Sequence, residues 1–87
     1  MLNDREWDRL RWQCRRGMLE LDVILLPFVE EDLSRLDERL QRGFARLLES
    51  SDLQLFRWLL RGEQSADAEL HEMIEVILAH HQARHSG

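Results

Sequence analysis

Arg16 and Glu20 stand four positions apart, with Gly17, Met18 and Leu19 between them. A cation, a hinge glycine and a carboxylate thus fall within about one helical turn. Arg and Glu supply directional charge, and the glycine frees the backbone. That is the chemistry of a surface latch: charge-assisted hydrogen bonds to another molecule, made by a main chain that can be approached closely. A plainer reading uses the same residues, with Gly17 as the C′ residue of a first helix and Glu20 as a favoured carboxylate in the first turn of a second.

Nearby residues extend the candidate surface. Asp22 is a charge inside an otherwise apolar stretch, two positions after Glu20, and is placed to face the same partner or to pair with Arg15 or Arg16. Trp12 falls off the apolar stripe of its segment and sits beside Arg11, so it is a candidate exposed anchor. Trp7 and Trp58 follow the apolar periodicity and are expected in the core.

Bond-making chemistry finds little support. Cys14 is the one cysteine, which excludes an internal disulfide and a multi-thiolate metal site, and no base stands beside it. It reads as a small apolar residue. His71, His80, His81 and His85 invite a metal hypothesis, but His71-Glu72-Met73-Ile74-Glu75 lacks the second histidine of the helical zinc motif. Solvated tail histidines are the expectation. No glycine-rich phosphate loop and no βαβ pattern is present, so a tight flavin or dinucleotide site of the chain's own is not expected.

The elements that must position these residues are helical. Trp7, Leu10 and Cys14 recur at i, i+3 and i+7, which predicts a first helix over roughly 4–15. The second is expected from Met18 to about Asp32, apolar around most of its girth and therefore central, with Pro27 kinking or locally breaking it. Asp37 is the expected cap of a third helix lined by Leu40, Phe44, Leu47 and Leu48, with Ser34 as a competing start. Ser51 and Gln54 form a capping box for a fourth, which Gly62 ends. Asp67 caps a fifth, whose stripe is Leu70, Met73, Ile74, Ile77 and Leu78. Residues 80–87 are expected to fray. The fold class is all-α: residues 1–87 as a single domain, a bundle of about five short helices.

Composition narrows the function classes. The 87 residues are 44% hydrophobic and 33% charged, the profile of a folded chain. The longest apolar run, Val23 to Val29, is too short to cross a bilayer, and acids near the N-terminus argue against a secretory or transit signal. A bacterial cytoplasmic location is the expectation. The net charge of −5 argues against nucleic acid as a partner. All twelve basic residues are Arg, a count that codon bias would also produce.

One longer string goes further. Arg15-Arg16-Gly17-Met18-Leu19-Glu20-Leu21-Asp22 is followed by Leu25-Leu26-Pro27-Phe28 and Phe44-Ala45-Arg46-Leu47-Leu48-Glu49. Asp52-Leu53 and Phe56-Arg57-Trp58-Leu59 come after these. In this order and spacing the chain closely resembles the succinate dehydrogenase flavinylation (assembly) factor family, whose signature is R-G-x-x-E. The resemblance runs from about Trp7 to Ile77.

It implies a non-enzymatic assembly factor that binds the flavoprotein subunit of succinate dehydrogenase and promotes its covalent attachment of FAD, with the related fumarate reductase flavoprotein as a further candidate client. The reacting histidine and the flavin would belong to the client, with no cofactor held tightly by the factor. Arg16, Gly17 and Glu20 match the motif position by position and become the candidate client-binding residues, with Met18, Leu19, Asp22 and Trp12 as neighbours. A monomer or weak dimer is expected. The rival within the same family is an antitoxin-like regulator of a toxin–antitoxin pair; a small metal- or flavin-binding protein is the rival from another class.

Overall fold

Asn3 accepts a hydrogen bond from the Glu6 amide at 2.9 Å while the Glu6 carboxylate accepts from the Asn3 amide at 3.2 Å, a capping box that opens α1 (Asp4–Gln13). The computed structural model describes residues 3–85. After α1 come α2 (Leu19–Glu31), a single 3₁₀ turn (Leu33–Arg35), α3 (Glu38–Leu47), α4 (Asp52–Leu59) and α5 (Ala68–His85). No strand occurs among the described residues, as an all-α bundle requires.

The caps are those the sequence offers. Asp37 accepts from the Leu40 amide at 2.8 Å, so α3 starts there; Ser34 falls inside the 3₁₀ turn. Ser51 and Gln54 form their reciprocal pair at the head of α4. Gly62 follows the end of α4 with φ +72°, a left-handed conformation that glycine adopts without a Cβ penalty. Asp67 accepts from Leu70 at 3.1 Å and starts α5.

Helix α2 is the centre. Leu21, Ile24, Leu25, Phe28 and Val29 are buried, and it packs against α1, the 3₁₀ turn, α4 and α5, while α3 packs on α5. Phe28 meets Phe44 of α3 at 5.3 Å between ring centroids, and Leu47, Leu55, Met73 and Ile77 complete the interior. Fully burying a side chain of this size contributes about 1.5–3 kcal/mol, so these few residues dominate stability. Trp7 and Trp58 pack against the core but are only half-buried.

Two expectations need correction. First, α1 stops at Gln13, two residues early, so Gly17 lies beyond the C′ position; Cys14 is the C-cap. Second, of the kink or break expected at Pro27 the break does not occur: α2 runs through it. Proline cannot donate to the Val23 carbonyl, but burial of the side chains on both sides of Pro27 holds the helix together. Helix α5 continues to His85 and so includes residues 80–85 of the expected tail. His80 is buried edge-on against Phe28, and Arg84 pairs with Glu31 near the end of α2. Tertiary contact, which periodicity cannot register, carries the last turns. Residues 86 and 87 of the expected tail lie outside the described residues.

Candidate functional site

The α1–α2 connection is five residues, Cys14 to Met18, and its shape is set at each position. The Cys14 amide donates to Leu10 and the Arg15 amide to Trp12, closing the end of α1. Gly17 has φ +77°, where an L-residue is strained by about 1–2 kcal/mol. A Cβ placed on Gly17 would meet nothing within 4 Å, so the requirement for glycine comes from the backbone and not from crowding. Met18 is the N-cap of α2 in an extended conformation; its carbonyl accepts from Leu21 and Asp22, but no side chain caps the helix.

Arg16 does not present its guanidinium to solvent. Its side chain is only 15% exposed and points into the junction of α3 and α4. Nε donates to Asp52 Oδ1 at 2.7 Å, Nη1 to the carbonyls of Gln13 (3.1 Å) and Leu48 (3.0 Å), and Nη2 to the Ser50 carbonyl (2.7 Å). Four of its donor interactions are made within the chain, and through them Arg16 braces the turn. Asp22 pairs with Arg16, but through the main chain, its Oδ1 accepting from the Arg16 amide at 3.0 Å.

The other motif residues are displayed. Gly17, Leu19 and Glu20 are exposed, Leu19 at 72%, and Met18 is half-buried against the core. Glu20 makes no hydrogen bond or ion pair among the described residues. It lies in the first turn of α2, beside backbone amides with no capping side chain, where a carboxylate is favoured. Trp12 is 74% exposed near the end of α1. Leu19 and Val23, four residues apart on α2, are both exposed and border a shallow groove of about 350 Å³ with Asp22, Leu26, Pro27 and Arg84. The surface combines apolar area with a carboxylate that is unpaired among the described residues.

Nothing here resembles an activated nucleophile. Burial pushes the Cys14 thiol up to about 12, so the thiolate is suppressed. Among the described residues no three His, Cys, Asp or Glu side chains converge as metal ligands. His71 pairs with Glu75 at 3.0 Å, and Arg39 takes Glu72 with two N–H donors at 2.9 and 3.0 Å. One residue outside the motif belongs to this region. Asp52 is the brace partner of Arg16, and Leu53 beside it is exposed. A contact spanning 36 positions has no local signal.

Residues 8–81 match the family described as the flavinator of succinate dehydrogenase. The chain is 49% identical over 75 residues to the FAD assembly factor SdhE of Mannheimia succiniciproducens, a match covering 84% of this chain and 87% of that one. It is 45% identical over 84 residues to the FAD assembly factor SdhE of Photobacterium profundum, covering 97% and 96%. The solution structure of a UPF0350 protein superposes with a TM-score of 0.79 at 40% identity, covering 97% of this chain and 89% of that one.

Proposed function

Since the chain belongs to the family of flavinators of succinate dehydrogenase, we propose that it is an assembly factor that binds the flavoprotein subunit of that enzyme and promotes covalent attachment of FAD. The observation that carries the reading is the α1–α2 turn: Gly17, Leu19 and Glu20 exposed on a backbone braced from beneath by Arg16.

In the client, covalent attachment would require loss of a proton from the 8α-methyl group of the isoalloxazine, addition of a histidine nitrogen to that carbon with loss of its own proton, and reoxidation of the resulting reduced flavin by an external electron acceptor. The factor's part is to hold the client in the arrangement that reacts. Misplacement by about 1 Å can cost roughly 10²-fold in rate, so stabilising one client conformation accelerates the reaction without contributing an acid or base. Glu20 offers an acceptor for a client cation or amide, Leu19 and Val23 offer apolar area, and Gly17 keeps the surface free of a side chain. FAD and the reacting histidine belong to the client, and the factor is not itself an enzyme. The fumarate reductase flavoprotein is a second client of the same chemistry. We place the encounter in the bacterial cytoplasm, with the factor a monomer or weak dimer; no helix among the described residues is long and apolar enough to cross a membrane.

Deleting the gene and measuring in-gel flavin fluorescence of the denatured flavoprotein subunit tests the reading. Covalent flavin is expected to fall and to return when the gene is restored. Undiminished covalent flavin in the deletion strain would overturn it.

A further inference from the structure

We propose that Asp52, in the first turn of α4, is a positioning residue for the client-facing turn and acts through Arg16; the proposal rests on the reading that Gly17 to Glu20 meets the flavoprotein. Arg16 is held at both ends. Its guanidinium is fixed by α4 and the end of α3, through Asp52 Oδ1 at 2.7 Å and the carbonyls of Leu48 and Ser50 at 3.0 and 2.7 Å. Its amide is fixed by α2, through Asp22 Oδ1 at 3.0 Å. The next residue is Gly17, whose left-handed conformation sets the direction in which Met18 and Leu19 leave the turn.

Among the groups that accept from the Arg16 side chain, Asp52 is the one with a formal charge. The others are main-chain carbonyls, of Gln13 in α1 and of Leu48 and Ser50 after α3. Hydrogen bonds between ions are shorter and about twice as strong as neutral ones, so the carboxylate on Nε fixes the rotation of the planar fork. The Arg16 side chain is mostly buried, so losing Asp52 leaves a poorly solvated cation that must either stay underpaired or swing out. Swinging out would pull directly on Gly17. The R-G-x-x-E string therefore depends on a residue outside it, 36 positions after Arg16, that need never touch the client.

The test has two arms on the full-length protein. In the isolated factor, Asp52→Ala should accelerate hydrogen exchange of the Arg16 amide about tenfold or more, with the Ile77 amide in α5 unchanged. In the second arm, purified flavoprotein subunit and FAD are mixed with limiting factor, and the initial rate of covalent flavin formation is followed by fluorescence. Asp52→Ala should lower it about tenfold. The double variant with Arg16→Ala should be no slower than Arg16→Ala alone, within about twofold, because the two residues act as one device.

Should Asp52→Ala fail to fold, Asp52→Asn, which keeps a neutral acceptor, should fall between wild type and Arg16→Ala in both arms. Unchanged Arg16 exchange overturns the proposal, and so do additive losses in the double variant. Faster exchange with a wild-type flavinylation rate also overturns it, since the turn would then be positioned to no effect. If wild-type factor fails to stimulate the reaction, the client reading itself falls, while the exchange arm still decides whether Asp52 holds the turn.

Discussion

His80 stands edge-on to Phe28, with ring centroids 5.4 Å apart and planes at 78°, and the contact joins the last turns of α5 to the last turn of α2. Its side chain is 7% exposed, so it is part of the packed interior. His80→Ala should destabilise the fold by about 0.5–3 kcal/mol, the range for losing a packed group without disturbing the backbone. In a domain of this size each 1 kcal/mol lowers Tm by roughly 4–8 °C, which a thermal melt resolves. A chain truncated after Ala79 also loses the Arg84–Glu31 pair and should melt lower still. A truncated protein with wild-type Tm would show that residues 80–85 fray in solution.

The stripe on the earlier turns of α5 makes a graded prediction. Ile74 is buried, and Ile74→Ala should cost about 2–5 kcal/mol. Leu70 is only half-buried, so Leu70→Ala should cost less. Both should support flavinylation as wild type does at temperatures where they remain folded. Loss of flavinylation with an unchanged melt would place this face in an interface.

Acid should weaken the start of α5. The hydrogen bond from Arg46, with those from the Leu70 and Glu69 amides, lowers Asp67 from 3.8 to about 2. A depressed carboxylate pKa stabilises the fold above its unfolded value, and that stability is lost as pH falls through the folded value. Tm should therefore drop as pH is taken from about 5 to 2. Arg84 at Glu31 and Arg39 at Glu72 lower those carboxylates too and add to the trend. Asp67→Asn should flatten the profile; an Asn variant with the same acid sensitivity would assign it to other groups.

Gly17 separates backbone strain from recognition. Gly17→Arg places an L-residue at φ +77° with open space around its Cβ, so the penalty is conformational, about 1–2 kcal/mol. The bundle should remain helical by circular dichroism with a slightly lower melt. The long side chain would stand over the surface that the client approaches, and pull-down of the flavoprotein should be lost. A variant that unfolds would make Gly17 essential to the fold itself and take that support from the client reading.

How much of the molecule is legible in its residue types follows the range of the forces involved. Capping interactions act over about three residues. Those at Ser51–Gln54, Asp37 and Asp67 therefore follow from residue types and spacing alone, as does the central position of α2. The continuity of α2 through Pro27 and the packing of His80 on Phe28 are not legible, because both depend on tertiary contact and not on local propensity. In the site, exposure of Trp12, Leu19 and Glu20 fits the patterning of polar and apolar residues. The inward turn of Arg16 does not, because an arginine beside a glycine reads as a surface group unless its distant partner is known. Residue types single out the turn, but the internal contacts by which Arg16 braces it come from the fold.

Glu20 carries the decisive prediction, since its two possible tasks differ in magnitude. As an unpaired carboxylate in the exposed first turn of α2, it interacts favourably with the helix dipole, which is worth only ~0.3–1 kcal/mol of the factor's own stability. As an acceptor buried against a client cation, its removal leaves that cation desolvated and unpaired, at ~2–5 kcal/mol of binding. No group among the described residues competes for its oxygens. Glu20→Ala is therefore expected to shift Tm by only a few degrees, to weaken binding at least about tenfold, and to slow covalent flavinylation in step. Titrating labelled flavoprotein with wild-type and variant factor, beside a melt of each, measures both quantities. Equal affinities would remove Glu20 from the interface and leave its position explained by the helix start alone, with Leu19 and Val23 as the remaining contacts of the exposed turn.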